Sequence, residues 1–272
     1  IIYSFISEQS VGDMFLAGIV PGLLLTGAYI FAIFAMARVW PSYIGQDIKA
    51  DEMPALGTSE MIHKAWPVLA LIFLVLGGIY TGWLTPVEAG AAGASLALVI
   101  AALRKSMSWN GLWSTLVETG HITAAILLLI TMASFYSRML GFAGLPNELD
   151  SLLQSWDLSF FEIMVIYVAM MLVLGTLLDT ASIILIVVPL FITLIEGMGL
   201  SLVWFGIVTV IGAEIGLLTP PLGISCFVIK SSLNNPDITL KDVFLGSFPF
   251  AVIMLVVLIF LIKFPILSTV LL

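Results

Sequence analysis

The chain has 272 residues, 61% of them hydrophobic and 10% charged, with a mean hydropathy of +1.20. That composition excludes a soluble globular domain, and a formal net charge of −8 argues against a nucleic-acid partner. A single cysteine, Cys226, excludes a disulfide framework or a thiolate metal cluster, and the apolar runs are too long for the strands of an outer-membrane barrel. The two histidines, His63 and His121, stand far apart with no metal-ligand spacing around them. Neither a Gly-rich phosphate loop nor a signal peptide is visible. The chain opens Ile1-Ile2-Tyr3 without an initiator methionine, so it is expected to be a fragment or a processed piece.

Runs of about twenty apolar residues mark the spans in chain order. The first covers residues 14–37, with Pro21-Gly22 near its start. Residues 38–65 mix charges with aromatics and read as a cytoplasmic surface helix plus loop. The second span, residues 66–84, opens on an interfacial Trp-Pro. The third, residues 86–103, carries Ala89, Gly90, Ala91, Ala92, Gly93, Ala94 and Ser95, a small-residue face suited to close helix packing. Residues 105–121 place Trp109 and Trp113 at helical spacing, as an amphipathic helix in the interface would. His63 and His121 fall in these two connecting stretches and read as solvated or interfacial residues rather than proton relays. A fourth span covers residues 122–140, and the last runs from 248 to about 267.

Residues 160–196 form an apolar run of awkward length, interrupted at Gly175-Thr-Leu-Leu-Asp-Thr-Ala-Ser182. Two crossings need about forty apolar residues and a polar turn in water. Here the turn is short and largely apolar, and each arm is about twelve to sixteen residues, which favours a re-entrant hairpin whose tip stops within the membrane. Residues 202–231 form a further run long enough to cross, broken at its centre by Gly216-Leu-Leu-Thr-Pro-Pro-Leu-Gly223. Proline lacks a backbone N–H and clashes with the carbonyl one turn earlier, so Pro220-Pro221 must interrupt the helical ladder. A cavity or a bound cation can satisfy the freed carbonyls, as can neighbouring helices around a plain proline kink.

Together the runs predict an all-α integral membrane protein with about six spanning helices plus one re-entrant hairpin. If residues 160–196 enter and leave on one side, Arg38, Lys49, Lys64, Arg104, Lys105, Lys230 and Lys241 share a face, and Arg138 and Lys263 lie opposite. Seven against two is a positive-inside bias that a single crossing would destroy, so the rich face is cytoplasmic and the hairpin opens outward.

Two apolar-flanked breaks therefore offer glycines, hydroxyls and unpaired carbonyls, with Thr176, Thr180, Ser182 and Thr219 as the hydroxyls at hand. Carbonyl ends of half-helices coordinate Na⁺ in transporters, while N-terminal ends face anionic substrate. The expected Na⁺ ligands are carbonyls near Gly175, Gly216 and Leu222 with the hydroxyl or carbonyl of Thr219; Thr176, Asp179, Thr180, Pro220 and Pro221 are candidates for substrate contact or gating. Asp179 reads either as a gating or site-shaping group or as a solvated carboxylate in a cavity. Glu214, one turn before the break, stays open between a proton carrier, a hydrogen bond across a domain interface and a neutral buried acid. Lys230 reads as a snorkelling anchor.

The strings VGDMFLAGIVPGLLL, GWLTPVEAGAAGA, LGTLLDTASIILIVVPLF and FGIVTVIGAEIGLLTPPLGI resemble, in this order, the large membrane subunit of tripartite ATP-independent periplasmic (TRAP) transporters over essentially the whole chain. The resemblance implies an elevator-type transporter of the bacterial inner membrane, coupled to Na⁺ and importing organic acid anions such as dicarboxylates or sialic acid. It implies a periplasmic binding protein and a small membrane subunit as partners. It also implies two inverted repeats, each with a hairpin and a broken helix. On that pattern residues 1–121 are scaffold spans with interfacial helices, 122–247 the second-repeat transport part and 248–272 a C-terminal span. The first repeat is not among these residues, so a missing N-terminal repeat of the same subunit is expected to complete the machine. Other classes fit less well. A proton-pumping membrane arm needs mid-span lysines, and an intramembrane enzyme needs a catalytic partner for Asp179; neither is present. A scaffold subunit of an ion-translocating complex with no substrate site of its own remains the alternative.

Overall fold

The computed structural model describes residues 1–43, 58–233, 235 and 237–272, and every regular element among them is helical. In chain order these are α1 (Ile2–Ser7), α2 (Val11–Ala17), α3 (Ile19–Val39), a 3₁₀ turn (Pro41–Tyr43), α4 (Thr58–Tyr80), α5 (Pro86–Leu103), α6 (Trp109–Ala143) and α7 (Leu145–Ser155). They continue with α8 (Phe160–Gly175), α9 (Thr180–Gly197), α10 (Leu202–Leu217), α11 (Ile224–Ser232), α12 (Leu240–Lys263) and α13 (Ile266–Thr269). Five stretches among the described residues are long and apolar enough to cross a membrane: Val11–Val39, Pro86–Leu103, Trp109–Phe142, Thr180–Gly197 and Leu240–Lys263. Ala65–Tyr80, Phe160–Gly175 and Leu202–Leu217 are apolar but shorter.

Local chemistry sets the helix starts. Thr85 with Glu88, Ser159 with Glu162 and Thr239 with Asp242 each close a reciprocal capping box, so α5, α8 and α12 begin with their first N–H groups satisfied. Ser201 caps α10 through the Trp204 N–H, and Asp179 caps α9.

The described residues pack as two compact units, Ile1–Ile30 with Leu128–Leu272 and, separately, Phe31–Leu127. These boundaries differ from the sequence-based parts at 1–121, 122–247 and 248–272. The first thirty residues and the last span pack with the hairpin and the broken helix, because the side chains that bury α10 come from α1, α2 and α12 as well as from α8 and α9. α10 is apolar on every face, and it is buried on nearly all of them. Tyr167 of α8 stacks against Phe191 of α9 and Phe205 of α10, with ring centroids 4.9 and 4.8 Å away. Trp204 of α10 donates its indole N–H to the Leu261 carbonyl of α12 at 2.9 Å. Tyr3 of α1 donates to the Leu202 carbonyl at 2.5 Å and is 2% exposed.

In the other unit α4 packs on α5. The small-residue face expected on α5 is the contact: Ala89 is fully buried, and a methyl group at Gly93 would lie 2.7 Å from Val75. Most of the surrounding apolar surface is open, with Phe31, Phe34, Phe73 and Trp83 all exposed.

Two expectations change, and a third lies largely outside the described residues. The interfacial helix at 105–121 and the fourth span at 122–140 are one helix, α6, of 35 residues and so ~52 Å long; nothing between them carries a proline or a run of breakers. The surface helix expected in 38–65 falls largely on residues 44–57, outside the described residues, as do the side chains of His63 and Lys64; α4 already begins at Thr58. The hairpin arms have 16 and 18 residues, the second longer than the sequence suggested.

Arm length therefore does not argue for re-entry, but position does. α8 runs beside α10 from Phe160, near Trp204, to Gly175, at Gly216. The tip thus stops level with the break in the broken helix, and α11 with the first turns of α12 lies beyond it: Phe227 packs on Phe244, and the Cys226 thiol lies 3.4 Å from the Ser247 hydroxyl.

Candidate functional site

The two breaks meet. α8 ends at Gly175, the tip occupies residues 176–179, and α9 starts at Thr180. α10 ends at Leu217, and α11 resumes at Ile224 after a turn whose last residue, Gly223, has φ of 46°. A methyl group at Gly175 would lie 2.7 Å from the Gly216 Cα, and one at Gly216 would lie 2.5 Å from the Gly175 Cα. Only glycine at both positions lets the two backbones touch this closely. The carbonyls of Ala213 and Leu172 sit at 3.1 Å from the same two positions, so main-chain oxygen lines both sides of the contact.

The carbonyls at this contact are unevenly paired. The Thr219 N–H still bonds the Gly216 carbonyl at 2.9 Å, and the Leu218 N–H bonds that of Ile215 at 3.1 Å. Pro220 and Pro221 can donate nothing, and among the described residues no backbone N–H reaches the carbonyls of Gly175, Leu217 or Thr219. The C-terminal ends of α8 and α10 converge at the same point, which concentrates the negative ends of two helix dipoles. The N-terminal ends of α9 and α11 open from the same two breaks.

The hydroxyls are arranged consistently with this. Thr219 Oγ1 donates to the Ile215 carbonyl at 2.7 Å, which leaves its lone pairs for another partner. Thr176, 8% exposed, donates to the Val173 carbonyl at 2.8 Å. Asp179 is tied to α9 as its N-cap: it accepts from the N–H groups of Ala181 (3.0 Å) and Ser182 (3.2 Å) and from the Ser182 hydroxyl. Thr180 Oγ1 donates to Glu214 Oε1 at 2.9 Å, which places Glu214 in a hydrogen bond between elements. Pro220, Pro221 and Leu222 lie on the open side of the break.

A cavity of about 620 Å³ borders the break, lined by Leu172, Ile215, Leu218, Thr219 and Pro220 and closed by α12 residues from Leu240 to Leu255. Sequence reasoning missed one neighbour of the site. Cys226 is fully buried, with its thiol 3.9 Å from the Leu218 carbonyl, so it backs the break rather than merely following it. Lys230, expected to snorkel, donates to the Asn235 carbonyl at 3.0 Å and ties off the chain after α11.

The family described as "Tripartite ATP-independent periplasmic transporter, DctM component" aligns with residues 1–267. The chain belongs to this DctM family.

Relatives agree. The chain is 30% identical over 273 residues to the C4-dicarboxylate TRAP transporter large permease protein DctM of Pseudomonas aeruginosa, covering 98% of this chain and 61% of that protein. It is 26% identical over 268 residues to the sialic acid TRAP transporter permease protein SiaT of Haemophilus influenzae, covering 97% and 42%. It is 29% identical over 266 residues to the ectoine/5-hydroxyectoine TRAP transporter large permease protein UehC of Ruegeria pomeroyi, covering 97% and 60%. The chain thus spans about three-fifths or less of the length of these curated relatives.

Proposed function

We propose that these residues are the second-repeat part of a TRAP large permease in the bacterial inner membrane, and that this permease imports organic acid anions together with Na⁺. The observation that carries the reading is the backbone contact of Gly175 with Gly216, which brings the hairpin tip and the Thr-Pro-Pro break into one site. Na⁺ is cargo in this scheme. It is held by the carbonyls near Gly175, Gly216 and Leu222 and by Thr219, at the converging C-terminal ends of α8 and α10. The N-terminal ends of α9 and α11, with Thr176, Asp179, Thr180, Pro220 and Pro221 around them, face the anion. Ion and substrate therefore share two breaks, and filling one half of the site orders the other.

Two of the relatives named above are permeases for organic acids, which supports that substrate class. The family's tripartite description supports a periplasmic binding protein and a small membrane subunit as partners. The exposed apolar faces of α3 and α4 suit the small subunit or lipid. The first repeat of the same subunit is expected to complete the transport part.

The test is uptake into proteoliposomes by the complete assembly. Radiolabelled organic acid should accumulate only with the binding protein present and only under an inward Na⁺ gradient. Equal uptake without binding protein removes the tripartite reading, and equal uptake under a proton gradient alone removes Na⁺ coupling.

A further inference from the structure

We infer that Glu214 is a positioning residue of the ion site: through its hydrogen bond to Thr180 it clamps the hairpin tip onto α10 and so fixes the carbonyls that meet there. The inference rests on the ion site proposed above. The tip, residues 176–179, is held at both ends by neighbouring positions of one helix. At its start Gly175 lies on Gly216; at its end the Thr180 hydroxyl bonds the Glu214 carboxylate at 2.9 Å. The first contact is packing between backbones and has no directionality of its own. The second is a directional hydrogen bond between side chains of two elements, and it sets register. Between the anchors Leu178 packs on the core and the backbone of residues 176–178 bonds back into α8, whereas Leu177 is 51% exposed and the Asp179 carboxylate bonds only to its own helix. Without the second anchor the tip is free to swing about Gly175, and the Gly175 carbonyl loses its fixed distance to those of the break. A carboxylate placed inside a membrane run is costly, and this role accounts for it.

The variants are Thr180→Ser and Glu214→Gln, which keep donor and acceptor, and Thr180→Val, Glu214→Leu and their double, which remove them. All are made in the complete transporter. Two quantities are read: the Na⁺ concentration for half-maximal uptake, and the labelling rate of Leu177→Cys at the tip in a Cys226→Ala background. Loss of one side-chain hydrogen bond shifts such equilibria several-fold to about tenfold. Thr180→Val and Glu214→Leu should each raise half-saturating Na⁺ by about that factor with the maximal rate largely held, and should speed labelling. Glu214→Gln should stay near the parent protein, Thr180→Ser should keep the parent's labelling rate, and the double variant should label no faster than either single. Additive effects in the double, a Glu214→Gln as damaging as Glu214→Leu, or unchanged labelling overturns the clamp. If labelling responds as expected while the parent shows no Na⁺ dependence, the clamp stands and the sodium reading falls.

Discussion

Gly175 and Gly216 touch backbone to backbone, so a single methyl group at either meets atoms that cannot rotate away. Gly175→Ala and Gly216→Ala should each destabilise the purified protein by about 1–3 kcal/mol, the usual cost of overpacking. Thermal unfolding in detergent measures this, and a stability matching the parent would show that the contact is looser than drawn. Gly246, with open space around its Cα, is the control expected to accept alanine. Thr219 poses the chemical question. Its hydroxyl hydrogen is spent on the Ile215 carbonyl, so Thr219→Val removes lone pairs facing the break and also frees that carbonyl. Half-saturating Na⁺ should rise several-fold to about tenfold with the fold intact, in line with the loss of one polar contact. Unchanged Na⁺ dependence would eliminate the hydroxyl as a ligand and leave the Thr219 carbonyl.

At the scale of elements, α10 organises the larger unit because seven other helices pack on it. α1 shows how much that depends on contacts distant in sequence. It has 6 residues, too few for an amphipathic period to register, yet Tyr3 is packed against Gly206 and its hydroxyl reaches the Leu202 carbonyl. Tyr3→Phe should lower stability by about 1 kcal/mol while leaving Na⁺ dependence untouched. A change in ion affinity instead would extend the site to the far end of α10. The contrast explains what could be read in advance. Both breaks were legible because proline and glycine act locally on the backbone: Pro220-Pro221 removes two donors wherever it stands. The small face of α5 was legible from composition alone. The continuity of α6 was not, since Trp109 and Trp113 suit an interface whether or not a helix continues past it. Nor was the bond from Thr180 to Glu214, which joins residues 34 apart and requires the hairpin to be docked first. The division into units depends on such contacts throughout.

For the whole molecule the deciding question is how often the chain crosses between α5 and α12. Ser106 follows α5, Ser155 ends α7, and Asp237 precedes α12; all three are exposed. α6, ~52 Å long, is enough to carry the chain across once between Ser106 and Ser155. A re-entrant α8–α9 hairpin returns it to the same side, and α10 with α11 then crosses to Asp237. Ser106→Cys and Asp237→Cys should therefore react with an impermeant maleimide from the cytoplasmic side only, and Ser155→Cys from the periplasmic side only. This matches the face that collects Arg104, Lys105, Lys230 and Lys241. If Asp237→Cys labelled from the same side as Ser155→Cys, the hairpin would be a single crossing or the broken helix would not span. In either case the two breaks would still touch at Gly175 and Gly216, but the re-entrant hairpin beside a spanning broken helix would be overturned.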